Sequence, residues 1–367
     1  MKISKDNLLK KVSSKDNQLI KSLDILIDDI NANSSINFFG RLAFWHQLIN
    51  RMKVRDRIET IYKKNNFSNV ADPIFITGLP RSGTTFLFDL LNINADLRGP
   101  LYWEITRPTP VINSRSKKAY IRSFFTDVEL NLARLIVPNL DAMHKIRANS
   151  PEECEQLNTI TAKSVVYLYM AKLPNYFQYL MQTDFTNVFE WHKKFFQILE
   201  LSNRPKKWLL KDPSHIEHIP EILKVYPNAK FIHLFRDPLK SIASTCSLTS
   251  KIQKGLSKSI SNEGIGKDII TFWGNAIAKN KIGRALLRAD QNLDIEYSEF
   301  IADPIETIKN IYDFLKLPLN SDELERKQNF LKVHVKNKYG KHSYQLEDYG
   351  LTDNLVNEKI SLNWQIQ

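Results

Sequence analysis

Two short stretches hold side chains suited to gripping an anionic group. The first is Gly78-Leu79-Pro80-Arg81-Ser82-Gly83-Thr84-Thr85, set between an apolar run and a helical pattern. A turn from strand to helix aims backbone N–H groups at one point, and the helix dipole adds partial positive charge there, so the stretch is an anion cradle. It nearly matches the nucleotide phosphate loop G-x-x-x-x-G-K-[ST], but Thr84 stands where Lys should be and the charge sits inside the loop, at Arg81. The second stretch is Lys230 to Pro238, which reads as a strand ending in Arg236. Asp237-Pro238 then turns the chain into a helix that carries Ser244, eight residues after Arg236. An arginine so placed can clamp a phosphate with two parallel hydrogen bonds, and a hydroxyl beside it adds a donor.

In this order, and 155 residues apart, the two stretches resemble the signature of the sulfotransferase superfamily, most closely its bacterial members related to tyrosylprotein and Golgi-type enzymes. The resemblance runs from about Pro73 to Leu351. It implies sulfuryl transfer from 3′-phosphoadenosine 5′-phosphosulfate (PAPS) to a hydroxyl or amine. It also implies roles for particular residues. Pro80, Arg81, Ser82, Gly83, Thr84 and Thr85 would hold the 5′-phosphosulfate, and Arg236 and Ser244 the 3′-phosphate. Lys211, in Leu210-Lys211-Asp212-Pro213, would contact the transferring group. Phe86 would stack on adenine or else belong to helix core, and Tyr297 would touch the adenine side. Lys341 and His342, in the segment Gly340 to Leu351, would close over the nucleotide or else lie in a solvated tail.

Sulfuryl transfer makes demands like those of phosphoryl transfer: reactants must be positioned and developing negative charge stabilised. Arg81, Lys211 and the loop N–H groups would supply fixed positive charge, so no metal is required. The acceptor needs a general base, an effect worth roughly 10²–10⁴-fold. Glu104, in Trp103-Glu104-Ile105-Thr106-Arg107, resembles the base of the Glu-x-x-Arg motif of tyrosylprotein sulfotransferases, with Arg107 assisting. His215 is the alternative, although it lies four residues after Lys211 where cytosolic relatives place a histidine two residues on. Two other functions compete with this reading: a P-loop nucleotide-dependent kinase, which would want a Lys at Thr84, and a non-catalytic member that only binds anions.

These residues need rigid elements to hold them. Pro73–Thr77, Trp208–Lys211, Lys230–Phe235 and Leu293–Ser298 read as short buried strands, and Thr84–Asn92 as the helix after the first. Strands alternating with helices imply an α/β fold, a P-loop-like parallel sheet flanked by helices, over residues 71–367. Residues 1–70 form a helical N-terminal extension: apolar positions Leu8, Leu19, Leu23, Leu26 and Ile30 suit an amphipathic hairpin, and a further helix spans about Phe38–Lys64. Ser150-Pro151-Glu152-Glu153 and Asp303-Pro304-Ile305-Glu306 both carry helix-start signals. Lys251 to Lys267 is short of large apolar side chains and is expected to be a mobile loop.

Composition sets the outer bounds. The chain has 367 residues, 43% hydrophobic and 25% charged, as expected of a globular protein, and a net charge of +12. The basic residues are spread out rather than gathered in a tail, which disfavours nucleic acid as a partner. Two cysteines, Cys154 and Cys246, make neither a disulfide framework nor a metal cluster. With no apolar leader and no integral membrane segment, a cytoplasmic enzyme acting on a small-molecule, lipid or glycan acceptor is expected, with the N-terminal helices available for a homodimer.

Overall fold

The computed structural model describes residues 2–13, 16–109, 111–113, 116–137, 146–333 and 345–364. The chain folds into two compact units and crosses between them five times. One unit takes residues 71–99, 205–247 and 262–367; the other takes residues 1–70, 100–204 and 248–261.

The first of these is the α/β unit. Its strands are β1 (Ile74–Thr77), β2 (Leu97–Arg98), β3 (Lys207–Lys211), β4 (Lys230–Phe235) and β5 (Asn292–Glu296). They form one parallel sheet in the order β2-β3-β1-β4-β5. Every residue of β1 is buried, which is why its sequence is a continuous apolar run and not an alternating one. Alternation nevertheless sorts side chains between the faces. Ile74, Ile76, Ile232 and Leu234 point to an aliphatic face, packed with Leu87 and Leu90 of helix Thr84–Leu91 and Ile308 and Ile311 of helix Pro304–Leu315. Phe75, Phe231, His233 and Phe235 form an aromatic row on the other face, with ring centroids 5.4 Å apart for Phe75–Phe231 and 6.1 Å for Phe231–His233. Helix Asn262–Arg284 lies against that row, with Asn280 donating to the Ile216 carbonyl at 2.8 Å and Arg284 over Phe235. Helices thus cover both faces. The chain lays β2 and β3 on one side of β1 and β4 and β5 on the other, and ligands of open parallel sheets bind at the carboxyl ends where the order reverses.

The other unit is helical. Helix Asn17–Ala32 is capped by Asp16, whose carboxylate accepts from Leu19 N–H at 2.7 Å, and Asn37 caps helix Phe38–Tyr62 in the same way through Gly40 N–H at 2.8 Å. Helix Pro174–Gln182 packs on the first of these, where Asp29 accepts from Asn175 and from Tyr176 N–H. Helix Thr186–Glu200 packs on the second. Between them the buried Arg55 guanidinium stacks on Trp191 at 3.8 Å, pairs with Asp16 and donates to the Ile160 carbonyl. Burial lowers its pKa to about 10.

Two local expectations fail. Residues 251–267 are mostly helical: helices Pro238–Leu256 and Asn262–Arg284 leave only 257–261 between them, and Lys258 N–H donates to the Ser35 carbonyl at 2.7 Å. Polar composition hid helices that bury only a few apolar side chains here, Leu256 and Ile265 among them. Ser150-Pro151-Glu152-Glu153 is not a helix start. Pro151 forms an antiparallel bridge with Leu101, Tyr102 N–H donates to Ser150 O, and the short helix begins at Glu155. Long-range backbone pairing there outweighs the local cap signal. At Asp303-Pro304 the cap forms, with Asp303 accepting from Glu306 N–H at 2.9 Å. Among the described residues, no helix is long and apolar enough to cross a membrane.

Candidate active site

In the α/β unit the site is built at the carboxyl ends of β3, β1, β4 and β5. β1 ends at Thr77, and the loop Gly78–Gly83 leads into helix Thr84–Leu91. The loop turns by left-handed backbone at Arg81 (φ 64°) and Gly83 (φ 95°). A Cβ on Gly83 would come 2.7 Å from the Tyr297 ring, and one on Gly78 2.5 Å from the Leu234 carbonyl, so both positions need glycine for close approach. Arg81 has no such excuse. Left-handed backbone at a non-glycine residue costs on the order of 1 kcal/mol and gathers at ligand-binding sites. The Ser82 side chain is buried, and its hydroxyl has no hydrogen-bond partner among the described residues.

The loop is tied to the next strand end. Arg81 Nε donates to Ser244 Oγ at 3.2 Å, and the Arg236 guanidinium donates to the Arg81 carbonyl. Arg236 also lies over the Tyr297 ring at 4.4 Å, as the pairing of Phe235 with Glu296 dictates for the residues that follow each strand. Ser244 reaches the loop from helix Pro238–Leu256, whose start is shaped by Asp237 accepting from Leu239 N–H at 3.0 Å. On the other side of β1, Ile76 pairs with Lys211, and Thr77 Oγ1 donates to the Asp212 carbonyl at 2.8 Å. The buried Lys211 ammonium donates to Thr85 Oγ1 at 2.9 Å. Three cations from three chain segments, Arg81, Lys211 and Arg236, are therefore held around one turn and one helix start. Such an array binds and stabilises negative charge.

Other expected residues sit differently. Phe86 packs against Phe300 and Phe330, with centroids 5.5 and 6.0 Å away, and joins the edge of the aliphatic core. His215 is fully buried and meets the Phe75 ring edge-on at 4.9 Å. Lys341 and His342 lie outside the described residues.

In the helical unit, Glu104 sits on the short helix Tyr102–Thr106 and is 2% exposed. Its carboxylate accepts from Leu101 N–H at 2.9 Å, three residues back. Arg107 follows the helix and is ion-paired with Glu129. Tyr102, Thr106 and Arg107 line a cavity of about 470 Å³ together with side chains from helices Phe38–Tyr62 and Lys117–Ile136. Arg51, Lys53, Arg57 and Arg122 also line it, and none is marked by either motif. The sequence signal for three of them is Arg51-Met52-Lys53-Val54-Arg55-Asp56-Arg57, four cations in seven residues within a segment that reads first as an amphipathic helix.

Residues 73–321 match the model of the sulfotransferase family. The chain is 26% identical over 315 residues to the omega-hydroxy-beta-dihydromenaquinone-9 sulfotransferase of Mycobacterium tuberculosis, covering 83% of this chain and 75% of that protein. It is 23% identical over 260 residues to protein-tyrosine sulfotransferase 1 of Danio rerio, covering 70% of this chain and 56% of that protein. Among solved structures, a sulfotransferase of Mycobacterium tuberculosis superposes with a TM-score of 0.84 at 26% identity, over 98% of both chains. A sulfotransferase of Mycobacterium avium shares the fold with a TM-score of 0.87 at 22% identity, over 98% of this chain and 95% of that one. The family match spans well over half of the chain and includes the loop, the three cations and Ser244, so the protein belongs to the sulfotransferase family, transferases whose general sulfuryl donor is PAPS.

Proposed function

We propose that the protein moves the sulfuryl group of PAPS to a hydroxyl or amine on a small-molecule, lipid or glycan acceptor in the cytoplasm, with Glu104 as the general base. The observation that carries this reading is the joining of two distant motifs by Arg81–Ser244 and Arg236–Arg81 hydrogen bonds. The glycine-lined turn and the buried Ser82 hydroxyl, without a partner among the described residues, fit a bound phosphosulfate. In this reading Arg236 and Ser244 hold the 3′-phosphate, and residues 80–85 hold the 5′-phosphosulfate. Lys211, already fixed by Thr85, neutralises charge on the sulfuryl oxygens and on the leaving phosphate. The acceptor oxygen or nitrogen forms a bond to sulfur while the bond from sulfur to the 5′-phosphate oxygen breaks. Glu104 takes the acceptor's proton, and 3′,5′-diphosphoadenosine leaves.

Glu104 is preferred to His215 for two reasons. It lies in a Glu-x-x-Arg segment, and both ends of its helix line a cavity large enough for a ligand. His215 lies in the turn Pro213–Glu217 with its ring edge-on to Phe75.

A thermal-shift titration with 3′,5′-diphosphoadenosine tests the donor. Ligand at 100 times its Kd adds about 2.7 kcal/mol to stability, several degrees in Tm. The expected result is a shift with the diphosphate, little with ATP and Mg²⁺, and its loss in Arg236→Ala. A larger shift with ATP and Mg²⁺, or none with the diphosphate, overturns the reading in favour of nucleotide-kinase chemistry or anion binding.

A further inference from the structure

The cavity in the helical unit is unusual in its charge. Among the described residues, five cationic side chains line it, Arg51, Lys53, Arg57, Arg107 and Arg122, against one carboxylate, Glu129. That carboxylate is already engaged by Arg107. The Arg122 pKa is lowered by burial and then by the charges of Arg107 and Arg57, and that of Arg51 is lowered by burial. Cations gathered without matching counter-charge destabilise the folded chain, and an anion among them relieves that repulsion.

Buried polar atoms point the same way. Arg51 is only 7% exposed; its two terminal nitrogens donate to the carbonyls of Ile105 and Thr106, but its Nε has no partner among the described residues. The same holds for Arg107 Nε and for the hydroxyl of Thr109, itself 6% exposed. Buried donors without a partner are costly to a fold, and these three belong to side chains that line one cavity. The cavity volume of about 470 Å³ falls within the usual range for small-molecule sites.

We infer that this cavity binds an anionic group of phosphate type carried by the sulfuryl acceptor, held by Arg51, Arg57, Arg107 and Arg122. The assignment of the group to the acceptor rests on the proposed function, because the helix carrying Glu104 forms part of the same wall. The anion-binding property itself does not depend on that reading.

The test keeps the two separate by saturating the protein with 3′,5′-diphosphoadenosine, so that phosphate probes cannot report on the nucleotide loop. One arm titrates a soluble phosphate monoester, glucose 6-phosphate, and its neutral counterpart, glucose, by calorimetry. The other arm follows co-sedimentation with phosphatidylcholine vesicles containing or lacking phosphatidic acid. Binding in either arm that requires the phosphate and weakens at least tenfold in both Arg57→Gln and Arg122→Gln is the expected result. The soluble arm alone indicates a free metabolite, and the vesicle arm alone a lipid headgroup. Unchanged affinity for 3′,5′-diphosphoadenosine in the variants shows that they fold. Arg57 is exposed, so its variant remains informative if Arg122→Gln does not fold. No phosphate-dependent binding in either arm, or binding indifferent to both substitutions, overturns the inference. Failure of the protein to bind 3′,5′-diphosphoadenosine instead sinks the donor reading and leaves the anion site to be judged on the same probes without nucleotide.

Discussion

Glu104 carries two duties that pull on the same oxygens. It accepts from Leu101 N–H near the start of its own helix, and it is the proposed base. Substitution by glutamine separates them, because the amide oxygen can still accept from Leu101 N–H but the side chain cannot take a proton. Glu104→Gln is therefore expected to fold with near-normal stability, to bind 3′,5′-diphosphoadenosine within about twofold of the parent, and to lose 10²-fold or more in turnover. Single-turnover transfer measured beside equilibrium binding checks this. A near-normal rate would remove Glu104 from the role and return His215 to consideration. At the same scale Cys246 needs no chemical role: it is buried, and burial pushes its thiol up to about 12, which leaves almost no thiolate at neutral pH.

At the scale of elements, the start of helix Phe38–Tyr62 is held by a backbone clasp. Asn37 N–H donates to the Leu256 carbonyl at 3.0 Å, and the Asn37 side-chain amide donates to Gly255 O at 3.0 Å. Gly40 faces this clasp, where a Cβ would lie 2.2 Å from the Leu256 carbonyl oxygen. Alanine in a helix is normally favoured over glycine by about 1 kcal/mol. Here the backbone must move to admit the methyl group, which costs about 1–3 kcal/mol, enough to outweigh the gain. Gly40→Ala should lower the urea midpoint of unfolding, and an equal or higher midpoint would show that the clasp yields freely. The same clasp explains why the segment after Lys251 is ordered in this structure: pairing with residues 35–37 stabilises it although its own composition is polar.

For the whole molecule, two of the buried imidazoles contribute to the response to acid. His192 in the helical unit and His233 in the α/β unit are both held neutral by burial, with pKa values lowered to about 3 and about 4. In the unfolded chain both titrate near 6.5. As pH falls below 6.5 the unfolded chain binds protons that the folded chain refuses, so stability falls with acid. The slope approaches about 1.4 kcal/mol per pH unit for each imidazole. Unfolding midpoints measured from pH 6.5 to 5, above the range in which most carboxylates titrate, should decline steadily. His192→Phe, placed beside Phe189 and Phe196, should flatten the decline by removing one titrating group. A flat profile in the parent protein would show that the imidazoles are solvated or protonated in the fold.

The sequence by itself determined the two motif stretches and the class of the fold, since both are written locally. The spacing Gly78–Thr85, the strand ending in Arg236 and the Ser244 helix are short runs whose periodicity and turn residues dictate their own backbone, and β4 spans the same residues in the structure as in the pattern. Even the shift of positive charge from Thr84 to Arg81 was visible residue by residue. Tertiary structure decided what depends on distant partners. Whether Ser150 caps a helix or pairs with the chain near Leu101, and whether Phe86 meets other phenylalanines, turn on contacts between residues far apart in the chain. The same is true of the basic cavity. Arg51 and Arg57 share one helix, but Arg107 and Arg122 come from later segments, and no local period brings four guanidinium groups together. Hydrogen bonding and hydrophobic burial between distant segments did that, and the charge they concentrated is where the acceptor is proposed to bind.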